Sequence, residues 1–328
     1  MQRARTFLLI SLLLANASAL AATHEYRVSV NEDMSRLAVE ARFAKPIESI
    51  SARSADARRF VTDARHCDVD QRIRMRNRRM LLPDGGVDCI RYEVDLERAA
   101  RSERRNTVLD ESNIIVSPTV WFWRPALRNG DDIEVRFELD GALGVSVPWQ
   151  VMPGEENAFI LRDSPESSEA LAAFGKFRFA EREIPGATLR ITLLHPDGGI
   201  DADGIIDWVT SAASNVNLAY GRFPNPSPNI ILLPVGDGWN RDTAVHFGRV
   251  VRDGGETVEL LINENRPVRE YYESWTATHE FSHLMLPYVN RRHRWVSEGF
   301  ASYYQNILLA RAGEYSQQLA WQKLWEGL

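Results

Sequence analysis

The residues best equipped for chemistry lie in one short segment, Trp275-Thr-Ala-Thr-His279-Glu280-Phe-Ser-His283-Leu-Met285. His279 and His283 are four positions apart. On a helix that spacing puts both imidazoles on one face, a turn from each other. Neutral imidazole nitrogen binds zinc at about 2.0–2.1 Å, so the pair can share one cation. Glu280 follows the first imidazole and leans toward the position a metal would leave open. A carboxylate there can take the proton of a water whose acidity the metal has raised. Phe281, Leu284 and Met285 provide packing for such a helix, and Pro287 is placed to end it.

A hydrolytic zinc site needs a third protein ligand and keeps one position open. Downstream stands Trp295-Val-Ser-Glu298-Gly-Phe-Ala-Ser-Tyr-Tyr304. Glu298 is the expected third donor. Taken alone, an acid near a helix start needs no metal, because the helix macrodipole favours it. After His-Glu-x-x-His, ligation is the stronger reading. Residues 287–294 supply a turn, and Trp295 opens a second helix that returns the carboxylate to the histidine face. Gly299 permits a close approach of the two helices. Tyr303 and Tyr304 are read as helix packing in preference to oxyanion donors, and His246 and His293 as loop or solvent-exposed residues in preference to contacts near the metal or substrate.

The elements that must position this constellation show in the periodicity. Glu25–Val30, Asp132–Leu139 and Lys176–Phe179 alternate polar and apolar side chains, as half-buried strands do. Asp84-Gly-Gly and Asp140-Gly punctuate the first half, which reads as a β-sandwich over residues 24–185. After about residue 186 come strands at 187–194 and 229–234. A helix from Gly204 to about Tyr220 lies between them, capped by Asp203. A hairpin spans 245–262 around Asp253-Gly-Gly, and helices follow from about Val268. Asp197, Asp201 and Asp203 lack calcium-loop spacing and read as a turn plus the helix cap. Arg72-Ile-Arg-Met-Arg76 reads as the wet face of a strand. The fold class is α+β.

The chain has 328 residues, 44% hydrophobic and 26% charged, with a net charge of -6. That is the composition of a globular protein of about two domains, and the acidic balance argues against nucleic acid as a partner. Arg3 and Arg5, the apolar run Phe7–Ala15 and small residues at 17–21 read as a secretory signal over residues 1–22. The expectation is therefore a periplasmic or secreted protein with no stable membrane span after cleavage. Cys67 and Cys89 are the only cysteines, and in an oxidising compartment they favour one structural disulfide.

The segments at 279–283 and 295–304 together resemble the gluzincin metallopeptidases, in particular the aminopeptidase N and glycyl aminopeptidase branches. The resemblance is specific over residues 275–305. It implies an N-terminal β-rich domain at 23–185 and a thermolysin-like catalytic domain at 186–328. It further implies one zinc ion on His279, His283 and Glu298, with Glu280 as general base and a peptide or protein as substrate. Three differences stand out. Fourteen residues separate His283 from Glu298, a short gap. The amine-gripping Gly-x-Met-Glu-Asn strand is replaced by His246-Phe-Gly-Arg-Val-Val-Arg252. The helical region that supplies an oxyanion-stabilising Tyr in the aminopeptidase N branch has no counterpart before Leu328, which implies a C-terminal truncation or another donor. The expected activity is an aminopeptidase-like zinc peptidase. The alternative is an inactive zinc-containing module that binds peptides or proteins.

Overall fold

The computed structural model describes residues 22–69, 71–102, 107–110, 112–128, 130–162, 170–194, 199–238 and 240–327. The expected signal segment, apart from Ala22, and Asp197 lie outside them. Among the described residues the fold is mixed α and β, with four sheets of seven, five, four and three strands and six α-helices.

The largest sheet is built from the alternating segments. Thr23–Val30 buries every second side chain and sits between two partners. Arg36–Ile47 runs antiparallel to it, and Asp132–Leu139 runs parallel although it lies more than a hundred residues away. Apolar side chains of this sheet and of the four-stranded sheet share one core, in which Trp121, Phe122, Phe137, Trp149 and Phe174 pack ring against ring. Arg74–Arg76 is a short strand whose arginines face water around Met75. Arg72 forms an isolated bridge instead of joining that strand. Cys67 and Cys89 are joined as a disulfide.

The five-stranded sheet carries the site. Its order is Arg178–Ile184, Ala187–Leu193, Asn229–Pro234, Glu256–Ile262, Val245–Arg252. The three inner strands run parallel, and both edge strands are antiparallel to their neighbours. Asn229–Pro234 is fully buried along its length, which explains its unbroken apolar run. Arg178–Ile184 belongs to this sheet, and the expected strand residues Lys176 and Phe177 precede it. The helix Ala202–Asn217 packs Ile205, Ile206, Trp208 and Val209 into a second core with these strands. Its cap is Asp201, whose carboxylate accepts from the Gly204 amide at 3.0 Å. Asp203 lies inside the first turn and pairs with Arg178. The expected cap was thus displaced by two residues, because either aspartate satisfies the sequence rule and only the backbone geometry selects one.

The two cores meet through a smaller cluster of Ile115, Leu171, Ala173, Leu194, Ile231 and Leu233. Polar contacts reinforce the junction. Buried Arg190 donates to the Trp149 carbonyl at 2.9 Å, and Arg53 pairs with Asp253 at 3.0 Å. The hairpin turn is pressed onto this junction: a side chain at Gly255 would overlap the Pro148 carbonyl. The hairpin that opens with the edge strand Val245–Arg252 is therefore fixed at its turn.

Candidate metal centre

The helix Thr276–His283 is buried at every position. Phe281 and Ala277 enter the second core, which turns the opposite side, carrying His279 and His283, toward the long helix Arg294–Arg311. The imidazole centroids are 4.9 Å apart. Each ring is held through Nδ1. His279 Nδ1 meets Gln305 Oε1 at 2.9 Å, and His283 Nδ1 meets Ser297 Oγ at 2.9 Å. Both Nε2 atoms are left for the space between the helices, an arrangement typical of metal-binding imidazoles.

Glu298 enters that space from the first turns of the long helix. Its Oε2 lies 3.4 Å from His279 Nε2 and 3.6 Å from His283 Nε2. These separations are long for hydrogen bonds. They match the edge of a tetrahedron about zinc, roughly 3.4 Å for ligand distances near 2.05 Å. One donor atom from each of the three residues lies within 4.8 Å of the other two. Two neutral nitrogens and one carboxylate are a donor set suited to zinc. The other carboxylate oxygen, Oε1, accepts from Arg294 Nε at 2.8 Å. Arg294 thus orients the group so that Oε2 faces the rings. Burial pushes the Glu298 carboxyl up, but the hydrogen bond and charge of Arg294 oppose it, and the group is held below its ordinary value. Burial, reinforced by His279, pushes the His283 imidazole down, so the ring is kept neutral. Both states are those a cation requires.

Glu280 is 7% exposed. Burial, followed by repulsion from Glu298, pushes its carboxyl up to about 8, with Arg294 opposing. An acid with such a value exchanges a proton near neutral pH. Its neighbour across the cleft is the edge strand. A Cβ built on Gly248 would sit 2.5 Å from Glu280 Cγ and 3.0 Å from Oε1. Glycine at 248 is what allows the strand and the carboxylate to come this close. The cleft between them measures about 800 Å3 and is lined by Asp242, His246, Phe247, Gly248, Glu273, Trp275, His279, Glu280, Arg294 and Glu298, among others.

The three residues singled out by spacing, His279, Glu280 and His283, and the expected third donor Glu298 are therefore brought together. His246 differs from its expected exposed or loop role. It sits at a bulge of the edge strand, lines the cleft, and has both ring nitrogens engaged by Thr243 and the Gly236 carbonyl. His293 is exposed at the start of the long helix. Tyr304 packs against the second core as expected, whereas Tyr303 is 45% exposed. Ser297, Gln305 and Gly248 were not apparent from spacing. Gln305 had one readable signal, since it follows Glu298 by two turns on the same helix face.

No protein-family model matches the chain, and no curated protein matches it. Among solved structures, the chain is similar to an aminopeptidase N family protein from Idiomarina loihiensis, with a TM-score of 0.60 at 14% identity. The match covers 90% of this chain and 56% of that one. An M1 zinc metallopeptidase from Deinococcus radiodurans aligns with a TM-score of 0.46 at 14% identity, over 91% of this chain and 72% of that one. At that identity the likeness to the first structure is one of fold, and this chain spans little more than half the length of that structure.

Proposed function

We propose that the chain is a zinc-dependent peptidase of aminopeptidase-like architecture. In this reading the residues up to about 175 form a β-sandwich-like unit, and the strand Arg178–Ile184, expected in that unit, joins residues 186–328 in a thermolysin-like catalytic unit. The observation that carries the reading is the convergence of His279 Nε2, His283 Nε2 and Glu298 Oε2 on one point, with buried Glu280 beside it. When bound there, zinc supplies a Lewis acid that polarises a peptide carbonyl and makes a water more acidic. The rest is the work of this chain. Gln305 and Ser297 fix the imidazoles, Arg294 turns the third carboxylate inward, and Glu280 accepts the water's proton and returns it to the departing amine. The edge strand Val245–Arg252 offers backbone groups along the cleft to an extended peptide. Asp242 and Glu273 on the cleft wall favour a cationic substrate end.

The disulfide supports residence in an oxidising compartment, in keeping with an exported protein. Among the described residues no helix is long and apolar enough to cross a membrane. The deciding experiment is incubation of zinc-loaded protein with a mixed peptide library, with and without chelator. Chelator-sensitive cleavage is expected. Zinc retention without any cleavage overturns the peptidase reading and leaves the binding module.

A further inference from the structure

The cleft has two walls, the motif helix and the edge strand, and one side chain ties them together. Arg252 is the last residue of the strand Val245–Arg252. Its side chain is 14% exposed. Its Nη2 donates to the Leu286 carbonyl at 2.9 Å and to the His283 carbonyl at 3.3 Å. Its Nε donates to Glu256 Oε1 at 2.7 Å, and Glu256 Oε2 in turn accepts from Asn225 at 2.5 Å. The guanidinium is therefore anchored on the hairpin at one end and on the metal-binding helix at the other.

This contact falls at a particular point of the helix. The last carbonyls of a helix have no partner within it. Here the helix ends at His283 itself, and Pro287 follows three residues beyond the cap Leu284. A cation at that end also complements the negative pole of the helix. The His283 carbonyl, which Arg252 shares with the Leu286 amide at 3.2 Å, belongs to the residue whose imidazole must face Glu298. The same guanidinium holds the strand that passes over Glu280. An arginine can do this because its planar fork reaches the carbonyls and the carboxylate at once, which a lysine ammonium does less well.

We propose that Arg252 is a positioning residue of the metal centre: it clamps the His283 end of the motif helix to the edge strand, and so fixes both the second imidazole and the width of the cleft. The inference rests on the zinc reading above. Outer partners of metal ligands typically change metal affinity 10–100-fold when removed. Arg252 acts through backbone, so the low end of that range is expected.

The test compares the full chain with Arg252→Gln and Arg252→Lys, using zinc competition against a chromophoric chelator and the visible spectrum of the cobalt-substituted proteins. Amide hydrogen exchange is followed on the zinc-free proteins. Arg252→Gln is expected to lose about tenfold in zinc affinity, to alter the cobalt spectrum and to speed exchange over residues 279–286, while residues 229–234 exchange as before. Arg252→Lys should fall between the two, and it decides the matter if the Gln variant does not fold. Unchanged affinity and spectrum in folded variants overturn the clamp, even if exchange quickens, because the role is then only structural. Absence of zinc binding by the unaltered chain overturns the zinc reading itself.

Discussion

The sharpest consequence of the site concerns the metal-free protein. In the folded chain the Glu280 carboxyl is pushed up to about 8, from an ordinary value of 4.5, first by burial and then by Glu298. Between those values the folded state binds a proton that the unfolded state has lost. Stability therefore falls as pH rises through the window from 4.5 to about 8. At about 1.4 kcal/mol per pH unit the full gap costs roughly 5 kcal/mol, of which ~3 kcal/mol is already felt at pH 7. Glu280→Gln keeps the shape and removes the titration. After chelator treatment, the variant should be more stable than the parent by up to ~3 kcal/mol at pH 7, and the difference should vanish near pH 4. Urea unfolding between pH 4 and 9 measures it. With zinc restored, the variant should hold the metal and lose turnover by on the order of 10²–10⁴-fold, the usual contribution of a general base. Equal stability at pH 7, or a gain that grows toward acid, refutes the assigned burial of the carboxyl. Retained turnover refutes its role.

Three further outcomes follow from particular contacts. Gly248→Val should displace Glu280, because even a methyl at 248 would meet its Cγ at 2.5 Å; turnover should fall steeply while zinc titration stays near the parent's. Gln305→Leu removes the partner of His279 Nδ1, and chelator competition should show zinc affinity reduced about 10–100-fold. Replacing Cys67 and Cys89 by serine opens a loop with a sequence separation of 22, and the urea midpoint should report a loss of about 3 kcal/mol.

How far the sequence foretold the site depends on the range over which each interaction acts. His279, Glu280 and His283 could be read because a helix turns four-residue spacing into proximity. The hairpin at 245–262 could be read because its turn residues lie within it. Glu298 needed a motif, since its approach depends on where the second helix is laid down. Ser297 and Gln305 gave little signal: what makes them partners of the imidazoles is the rotation of that helix, set by Leu308 and Tyr304 packing into the second core. The parallel pairing of Thr23–Val30 with Asp132–Leu139 likewise left no local mark, because alternation tells which face of a strand is buried and not which strand lies beside it. The cap at Asp201 instead of Asp203 shows the same limit at short range.

Diffraction from zinc-soaked crystals, recorded on either side of the zinc absorption edge, tests the central claim most directly. The account predicts a single anomalous peak bonded to His279 Nε2, His283 Nε2 and one Glu298 oxygen at about 2.0–2.2 Å. A peak elsewhere, or a fully loaded crystal in which neither Glu298 oxygen reaches the metal, would contradict it.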